Sequence, residues 1–205
     1  AVQAASDYDT YVMAHAHNLA GIKRLIAAGV MSIEHASILD KQTVREMKRK
    51  GVWASPGVFA CQMAQTGAPD YFNALQKAKF AEFGKGCMAA YQLLADEGVN
   101  VAFGSDMLGP PQSQALQVKE FAARTLFYTP AQILAQATSG NANLVGMSNT
   151  RNPYQDGALG VIRVGAYADL LLIDGNPLED LTILEDPEEN LLLIMKNVIV
   201  HKNTL

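Results

Sequence analysis

Cysteine, tryptophan and long apolar runs are scarce in this 205-residue chain, which has two cysteines and one tryptophan. Two cysteines cannot build a disulfide framework, so we expect Cys61 and Cys87 to be buried thiols of a protein in a reducing compartment. No apolar stretch approaches the ~20 residues of a membrane span, so no membrane protein is expected. The cytoplasm is the default location. Because the chain begins without an initiator Met, a signal peptide and secretion stay open.

The chain also lacks a basic surface. Its 16 basic and 20 acidic residues give a net charge of −4, and the basic residues form no extended patch. Nucleic acids and anionic membranes are bound through such patches, so neither is expected as a partner. A hydrophobic share of 49% and a charged share of 18% are ordinary values, which exclude disorder. The composition therefore predicts a folded globular protein.

Short apolar runs alternate with longer amphipathic segments from residue 11 to about residue 145. Near-continuous apolar strands that alternate with helices indicate a parallel sheet with helices packed outside it. Two glycines at 84 and 86 predict a break in the third helix, and the segment 57–71 is predicted to be a loop. The predicted strands are 11–14, 30–33, 52–55 and 99–103, and the predicted helices are 19–28, 40–50, 72–97, 113–126 and 130–145.

After Pro153 the pattern changes to β-type runs that glycines interrupt, over 159–164, 170–173 and 192–200. A polar link over 148–157, with a proline and a glycine in it, separates the two parts, so we expect one domain over 1–150 and a second over 151–205. A closed (β/α)8 barrel usually needs ~250 residues, and four strand–helix units supply half of one. Half a barrel leaves two open strand edges. The sequence therefore predicts part of a longer chain, or a sheet that another chain or a second copy completes.

Three of the four histidines stand where predicted strands end. His15 and His17 close the first strand two positions apart, so they face the same side. His35 closes the second strand, and Asp106 follows the fourth. Because ligands bind at the carboxyl ends of parallel strands, we expect these side chains to share one site. Imidazole nitrogens and a carboxylate are suitable ligands for Zn²⁺ or a similar divalent ion.

Ordinary structural roles remain open for the same residues. A histidine after a strand can be a hydrogen-bonded structural residue, and Asp106 can be a turn residue or a helix N-cap. Glu34 points to the face opposite His35 and is predicted to form a hydrogen bond or salt bridge behind the site, while His201 is predicted to be structural. No Gly-x-Ser-x-Gly sequence indicates a serine hydrolase, no base accompanies Cys61, and no glycine-rich loop indicates a nucleotide-binding fold.

Short motifs run over nearly the whole chain: Val-Met-Ala-His-Ala-His at 12–17, Ser-Ile-Glu-His at 32–35, Gly-Ser-Asp at 104–106, Thr-Pro-Ala-Gln-Ile-Leu at 129–134 and Gly-Ala-Tyr-Ala-Asp-Leu at 165–170. Together they resemble the amidohydrolase superfamily, and most closely its imidazolonepropionase-like and Xaa-Pro dipeptidase-like members. The resemblance implies an α/β fold, with strands five to eight of a (β/α)8 TIM barrel and their helices over 1–150. It implies that 151–205 supplies the C-terminal strands of a small β-sandwich.

The resemblance makes His15 and His35 metal ligands at the ends of barrel strands five and six. Asp106 becomes a third metal ligand and the general acid/base at strand eight, and His17 becomes a substrate contact. The implied activity is hydrolysis of C–N bonds in small amide, cyclic amide or dipeptide substrates by a water that one or two divalent ions activate. Zinc is the first expectation for the ion, with manganese and iron as alternatives.

The upstream motifs of the family have no counterpart in this chain. The family has a His-x-His pair at the end of strand one and often a carboxylated lysine at the end of strand four, and both are missing. The chain is therefore expected to be a C-terminal half whose barrel needs the missing N-terminal half. A catalytically incomplete scaffold or binding domain of the same fold is the alternative to an enzyme, and the activity of this chain alone stays open.

Overall fold

The computed structural model describes all residues from Ala1 to Leu205. The helices are α1 (Val2–Ser6), α2 (Leu19–Ala28), α3 (Lys41–Lys50), α4 (Val58–Thr66), α5 (Ala74–Gly84), α6 (Cys87–Glu97), α7 (Pro111–Gln114), α8 (Lys119–Ala123), α9 (Pro130–Ala135), α10 (Asn141–Gly146) and α11 (Pro187–Asn190). The strands are β1 (Met13–Ala16), β2 (Ser32–His35), β3 (Trp53–Ser55), β4 (Leu170–Ile173), β5 (Leu191–Lys196) and β6 (Ile199–Asn203). None of the helices combines the length and the apolar character that a membrane crossing requires.

The strands β1, β2 and β3 form a parallel sheet in chain order, as the alternation of strands and helices predicts. The fourth predicted strand is reduced to one parallel bridge between Ala54 and Val101. The last backbone hydrogen bond of this pairing runs from the Ala102 N–H to the Ala54 carbonyl at 2.9 Å. Beyond it, the Asn141 carboxamide binds both the N–H and the carbonyl of Phe103, at 2.8 and 2.9 Å. A side chain therefore replaces a neighbouring strand at this position.

Capping residues set the ends of α2 and α3. Asp40 is the N-cap of α3, and its carboxylate accepts a hydrogen bond from the Thr43 N–H at 2.7 Å. Gly29 ends α2 and Gly51 ends α3, both in left-handed conformation with φ 87° and 69°. The predicted break in the helix over 72–97 is confirmed, since α5 ends at 84 and α6 begins at 87. The predicted helices over 113–126 and 130–145 are instead divided into short α-helical, 3-10 and π-helical turns.

One apolar cluster of 18 buried residues holds the helices against the first sheet. Ile22 and Ile26 of α2 are four positions apart and face the same side, as do Val44 and Met47 of α3. Burial of each such side chain stabilises the fold by about 1.5–3 kcal/mol. This core fixes the strands whose carboxyl ends carry the histidines.

The segment 57–71 contains a helix, so the predicted loop is wrong over most of its length. At the start of α4 the N–H groups of Val58 and Phe59 donate to the Glu120 carboxylate, at 3.0 and 2.8 Å. A carboxylate at this place satisfies N–H groups that a helix start leaves unpaired. Because Glu120 lies 61 and 62 positions away along the chain, no local pattern reveals it.

Cys61 of α4 and Cys87 of α6 form a disulfide bond, with their Cα atoms 6.0 Å apart. The prediction of two free thiols is therefore wrong, although both residues are fully buried, as expected. They are 26 positions apart in sequence, and the packing of α4 against α6 brings them together. Disulfide bonds persist mainly in oxidising compartments, so the expectation of a reducing compartment loses its basis.

The strands β4, β5 and β6 form a second, antiparallel sheet in chain order. The predicted strand over 159–164 does not form, and Ala158 and Ala166 make one isolated bridge instead. Gly160 and Gly165 have left-handed backbone with φ 67° and 82°, which turns the chain at both ends of this stretch. The predicted strand over 192–200 is divided by a tight turn into β5 and β6.

The turn between β5 and β6 contains strain that one substitution should relieve. Asn197 and Val198 have φ 47° and 70°, and a hairpin of this kind favours Asn-Gly. A side chain such as that of valine costs about 1–2 kcal/mol in this region. We expect Val198→Gly to raise the free energy of unfolding by about 1 kcal/mol in urea titrations, because glycine removes the strain.

The matched control for this turn is Val200→Gly, inside β6, which should lower the free energy of unfolding because glycine weakens a strand interior. A Val198→Gly variant that is no more stable than the wild type would contradict the left-handed backbone at Val198.

Candidate functional site

Three histidine side chains, named here the histidine cluster, meet at the carboxyl end of the first sheet. His15 lies in β1, His17 follows β1, and His35 is the last residue of β2. The ring centroids are 4.6 Å apart for His15–His17, 4.4 Å for His15–His35 and 4.7 Å for His17–His35. Each ring offers a nitrogen within 4.8 Å of the other two. The structure thus brings together the three histidines that the sequence singled out.

The backbone is strained at the end of β2, at His35 and the residue that follows it. His35 and Ala36 have φ 69° and 49°, which is uncommon for residues other than glycine. The Ala36 N–H donates to the Ala16 carbonyl at 3.1 Å, which ties this turn to the end of β1. Such strain costs about 1–3 kcal/mol per residue and is concentrated at functional sites. The backbone therefore marks this strand end as a candidate site independently of the histidines.

His17 is oriented by its neighbours. Its Nδ1 lies 2.9 Å from the hydroxyl of the fully buried Ser37, which leaves Nε2 as the ring nitrogen without a hydrogen bond. Burial, and then the neighbouring His35 and His15, lower the pKa of His17 to about 4. Burial is also the main cause that lowers the pKa of His35. Both rings are therefore neutral at pH 7 and keep a lone pair that can bind a metal ion.

The metal-free chain should lose stability as the pH falls from about 6.5 to about 4. His17 titrates near 6.5 in the unfolded chain and near 4 in the folded one. Between these values the unfolded state binds more protons, so the free energy of unfolding decreases with decreasing pH. Because His17 is only half-buried, solvent screening reduces its contribution to on the order of 1 kcal/mol. Urea unfolding in EDTA at pH 7, 5.5 and 4 measures this loss.

Two variants separate the His17 contribution from general acid destabilisation. In His17→Gln the loss between pH 6.5 and 4 should be smaller, since glutamine can hydrogen-bond Ser37 and does not titrate. His201→Gln, on exposed β6, should behave like the wild type. Identical pH dependences for wild type and His17→Gln would contradict the lowered pKa of His17.

Asp106 lies next to the histidine cluster but is not part of it. Its Oδ2 lies 3.9 Å from Nδ1 of His35, and its side chain is 57% exposed. Its φ of 52° is a left-handed conformation that aspartate adopts more readily than most residues. Asp106 therefore lies at the open side of the cluster, where its carboxylate is accessible to a small molecule.

Glu34 and His201 lie outside the histidine cluster. Glu34 accepts a hydrogen bond from the Ser32 hydroxyl at 2.6 Å, which is one of the two interactions predicted for it. His201 is exposed on β6, in the second sheet.

A cleft of ≈ 720 Å³ opens over the histidine cluster and Asp106. One side of it, named here the aromatic wall, consists of Tyr71, Phe72, Phe80 and Phe83, whose successive ring centroids are 5.1, 5.5 and 5.8 Å apart. Phe83 also contacts His17, with the centroids 5.6 Å apart. Clefts of this size and apolar character take small organic molecules.

Sequence reasoning missed the aromatic wall. Tyr71 falls at the end of the segment predicted to be a loop, and Phe72 follows it. The only available signal is the spacing of Phe80 and Phe83, which places both rings on one side of a helix. That spacing is equally typical of a buried helix face, so it does not indicate a cleft by itself.

The amidohydrolase family profile matches residues 1–200 of this chain. The chain belongs to the amidohydrolase family. The ochratoxinase of Aspergillus niger is 32% identical to it over 193 residues, which make up 91% of this chain and 37% of that protein. This amidohydrolase chain thus spans little more than a third of the length of its curated relative.

Solved structures share the mixed α/β fold of this amidohydrolase chain. A prolidase in complex with N-methylphosphonate-L-proline is 32% identical, with a TM-score of 0.86 over 99% of this chain and 48% of that one. A Xaa-Pro dipeptidase with methionine bound in its active site is 29% identical, with a TM-score of 0.83 over 98% of this chain and 47% of that one. The chain therefore corresponds to about half of each solved protein, and the named relatives are hydrolases.

Proposed function

We propose that this amidohydrolase chain is the metal-binding C-terminal half of an enzyme that hydrolyses C–N bonds of small amides, cyclic amides or dipeptides. The observation that carries this proposal is the meeting of three imidazoles at strand ends, beside Asp106 and under a cleft that can hold a small molecule. Family membership supports hydrolysis. The prolidase and the Xaa-Pro dipeptidase among the solved relatives support a C–N bond as the target.

The side chains present suit a divalent metal ion. We assign His15, His35 and Asp106 as its ligands, because neutral imidazole nitrogens and a carboxylate are the donors that zinc prefers outside cysteine sites. Manganese and iron accept the same donors. His17 is assigned to the substrate, since its Nε2 has no hydrogen bond within the chain. When bound, the ion would lower the pKa of a water molecule and polarise the carbonyl group of the substrate.

Asp106 is assigned as the general acid/base. Its carboxylate is exposed to the cleft and 3.9 Å from His35, so it can take a proton from the attacking water and deliver it to the leaving nitrogen. The aromatic wall would contact the apolar part of the substrate and keep other water molecules away from the site.

For the whole molecule we propose that residues 1–150 form barrel strands five to eight with their helices. We propose that 151–205 forms the C-terminal strands of a small β-sandwich. β1 has an open edge in the first sheet. Leu171 of β4 and Ile199 of β6 are 56% and 62% exposed, and apolar surface of this kind typically marks an interface. The proposed partner is the N-terminal half of the barrel, and self-association of two copies is the alternative.

A catalytically incomplete scaffold is the second candidate function. The assigned ligands number three, His15, His35 and Asp106, and a site with two ions needs more donors than these. A scaffold that has lost catalysis would keep the fold and the cleft. It would hydrolyse no substrate even when a metal ion is bound.

Metal-dependent hydrolysis tests the proposed activity. The zinc-loaded chain, alone and mixed with the N-terminal half of a related prolidase, is assayed against dipeptides and N-acyl amino acids. We expect release of free amine that EDTA stops and added Zn²⁺ restores. A folded, zinc-loaded mixture that releases no amine from any of these compounds would favour the scaffold.

A further inference from the structure

A buried ion pair between Glu120 and Arg124 lies against the segment 102–104 that leads to Asp106, and neither residue lines the cleft. The Nε of Arg124 donates to Oε1 of Glu120 at 2.7 Å, and both side chains are 0% exposed. Glu120 belongs to α8, and Arg124 begins the 3-10 turn that follows it. Buried ion pairs add little net stability compared with apolar residues of the same size, so stability alone does not account for this pair.

The guanidinium of Arg124 binds the backbone that leads into Asp106. Its Nη1 donates to the Ala102 carbonyl at 3.1 Å, and its Nη2 lies 3.5 Å from the Gly104 carbonyl. Between these two contacts the guanidinium carbon lies 4.5 Å from the centroid of the Phe103 ring. One side chain thus contacts three consecutive residues, the last of them two positions before Asp106.

The same guanidinium also holds the end of the neighbouring strand. Nη2 of Arg124 donates to the carbonyl of Pro56, directly after β3, at 2.7 Å. Glu120 in turn accepts hydrogen bonds from the N–H groups of Val58 and Phe59 at the start of α4. The pair therefore joins the end of β3, the start of α4 and the segment 102–104.

The Arg124 guanidinium contacts the segment 102–104 at the point where its pairing with β3 stops. Ala102 makes the last backbone hydrogen bond to β3, and Phe103 is paired by the Asn141 side chain. The carbonyl of Gly104 has no strand neighbour, and Asp106 then needs a left-handed backbone with φ 52°. The position of the Asp106 carboxylate relative to His35 therefore depends on how firmly residues 102–104 are held.

We propose that Arg124 is a positioning residue for Asp106, with Glu120 fixing the orientation of the guanidinium. The planar fork of arginine spreads five N–H donors over three nitrogens, so one side chain reaches the carbonyl groups of Pro56 and Ala102 while it donates to Glu120. Lysine has three donors on a single nitrogen and cannot span these acceptors. The inference rests on the proposed role of Asp106 as metal ligand and acid/base. Arg124 does not itself touch the metal ion or the substrate.

A double-mutant cycle on zinc affinity separates positioning from a general structural role. Arg124→Lys keeps a positive charge beside Glu120 but loses part of the fork. We expect it to weaken Zn²⁺ binding about tenfold or more in calorimetric titrations, the loss typical for a residue that orients a ligand. In the Asp106→Asn background the same change should have no more than about a twofold effect. Equal losses in both backgrounds would overturn the proposal.

Hydrogen exchange tests the contact between Arg124 and residues 102–104 without a metal ion. In Arg124→Lys the amides of Ala102 and Phe103, which donate to the Ala54 carbonyl and to the Asn141 side chain, should exchange about tenfold faster or more in the metal-free chain. The control is Lys119→Gln, also on α8, which breaks only the partly exposed pair with Glu185 and should leave these amides unchanged. Unchanged exchange of the Ala102 and Phe103 amides in Arg124→Lys would overturn the proposal, whether or not Asp106 binds the metal ion.

The two measurements also separate this inference from the proposed function. If Asp106→Asn alone leaves the zinc affinity unchanged, the assignment of Asp106 as a ligand fails, and hydrogen exchange alone decides the role of Arg124. If Arg124→Lys does not fold, the double variant Glu120→Gln/Arg124→Met takes its place in both experiments. This double variant removes both buried charges together.

Discussion

Replacing both Cys61 and Cys87 by alanine should lower the free energy of unfolding by about 3 kcal/mol. The disulfide closes a loop across the 26 positions between α4 and α6, and its removal restores conformational freedom to the unfolded chain. The loss should be visible in urea titrations as a lower midpoint with little change in the folded state. Of the single features of this fold, we expect this one to have the largest effect on stability.

Reductant provides the matched control for this disulfide. Wild-type chain in dithiothreitol should become about as unstable as the double alanine variant, while the variant itself should not respond to the reagent. A wild-type chain that is insensitive to dithiothreitol and reacts as two free thiols on unfolding without reductant would contradict the bond between Cys61 and Cys87.

Asp106→Asn should lower the rate of hydrolysis by about 10²–10⁴-fold, the usual contribution of a general acid/base. Asparagine keeps the shape of the side chain but cannot carry the proton from water to the leaving nitrogen. Zinc should still bind, more weakly, because the assigned ligands His15 and His35 remain next to each other. The decisive comparison is therefore the rate per bound zinc ion in the zinc-loaded mixture described above.

Asp156→Asn is the matched control for this change, because Asp156 is exposed and does not line the cleft. It should hydrolyse substrate at the wild-type rate. An Asp106→Asn variant that keeps the wild-type rate per zinc ion would contradict the assignment of Asp106 as acid/base and would leave its position at the cleft without a catalytic role.

The strand ends that carry chemistry can be predicted from the sequence because their signals are local. His15, His17 and His35 each follow a short apolar run, and the carboxyl ends of parallel strands meet at one edge. Helix ends are equally local, since Asp40 caps a helix through an N–H three positions away and Gly29 ends one through its own φ. Interactions between residues within about four positions of each other can therefore be predicted from the sequence.

Contacts between distant parts of the chain cannot be predicted in this way. The bond between Cys61 and Cys87 depends on the packing of two helices, and the start of α4 depends on the carboxylate of Glu120, about 60 positions away. The fourth strand fails for a similar reason, because Asn141 takes the hydrogen bonds of Phe103 that a further strand would need. The local sequence pattern predicts an apolar strand, but it does not reveal which group will form hydrogen bonds with that strand.

The metal content of the purified chain tests the proposed metal site most directly. Elemental mass spectrometry should find close to one zinc, manganese or iron ion per chain in the wild type and in His201→Ala, and close to none in His35→Ala. The expected loss follows from the position of His35, which is adjacent to both His15 and Asp106. A folded wild-type chain that contains no metal ion and binds none from added zinc would contradict the proposed metal site.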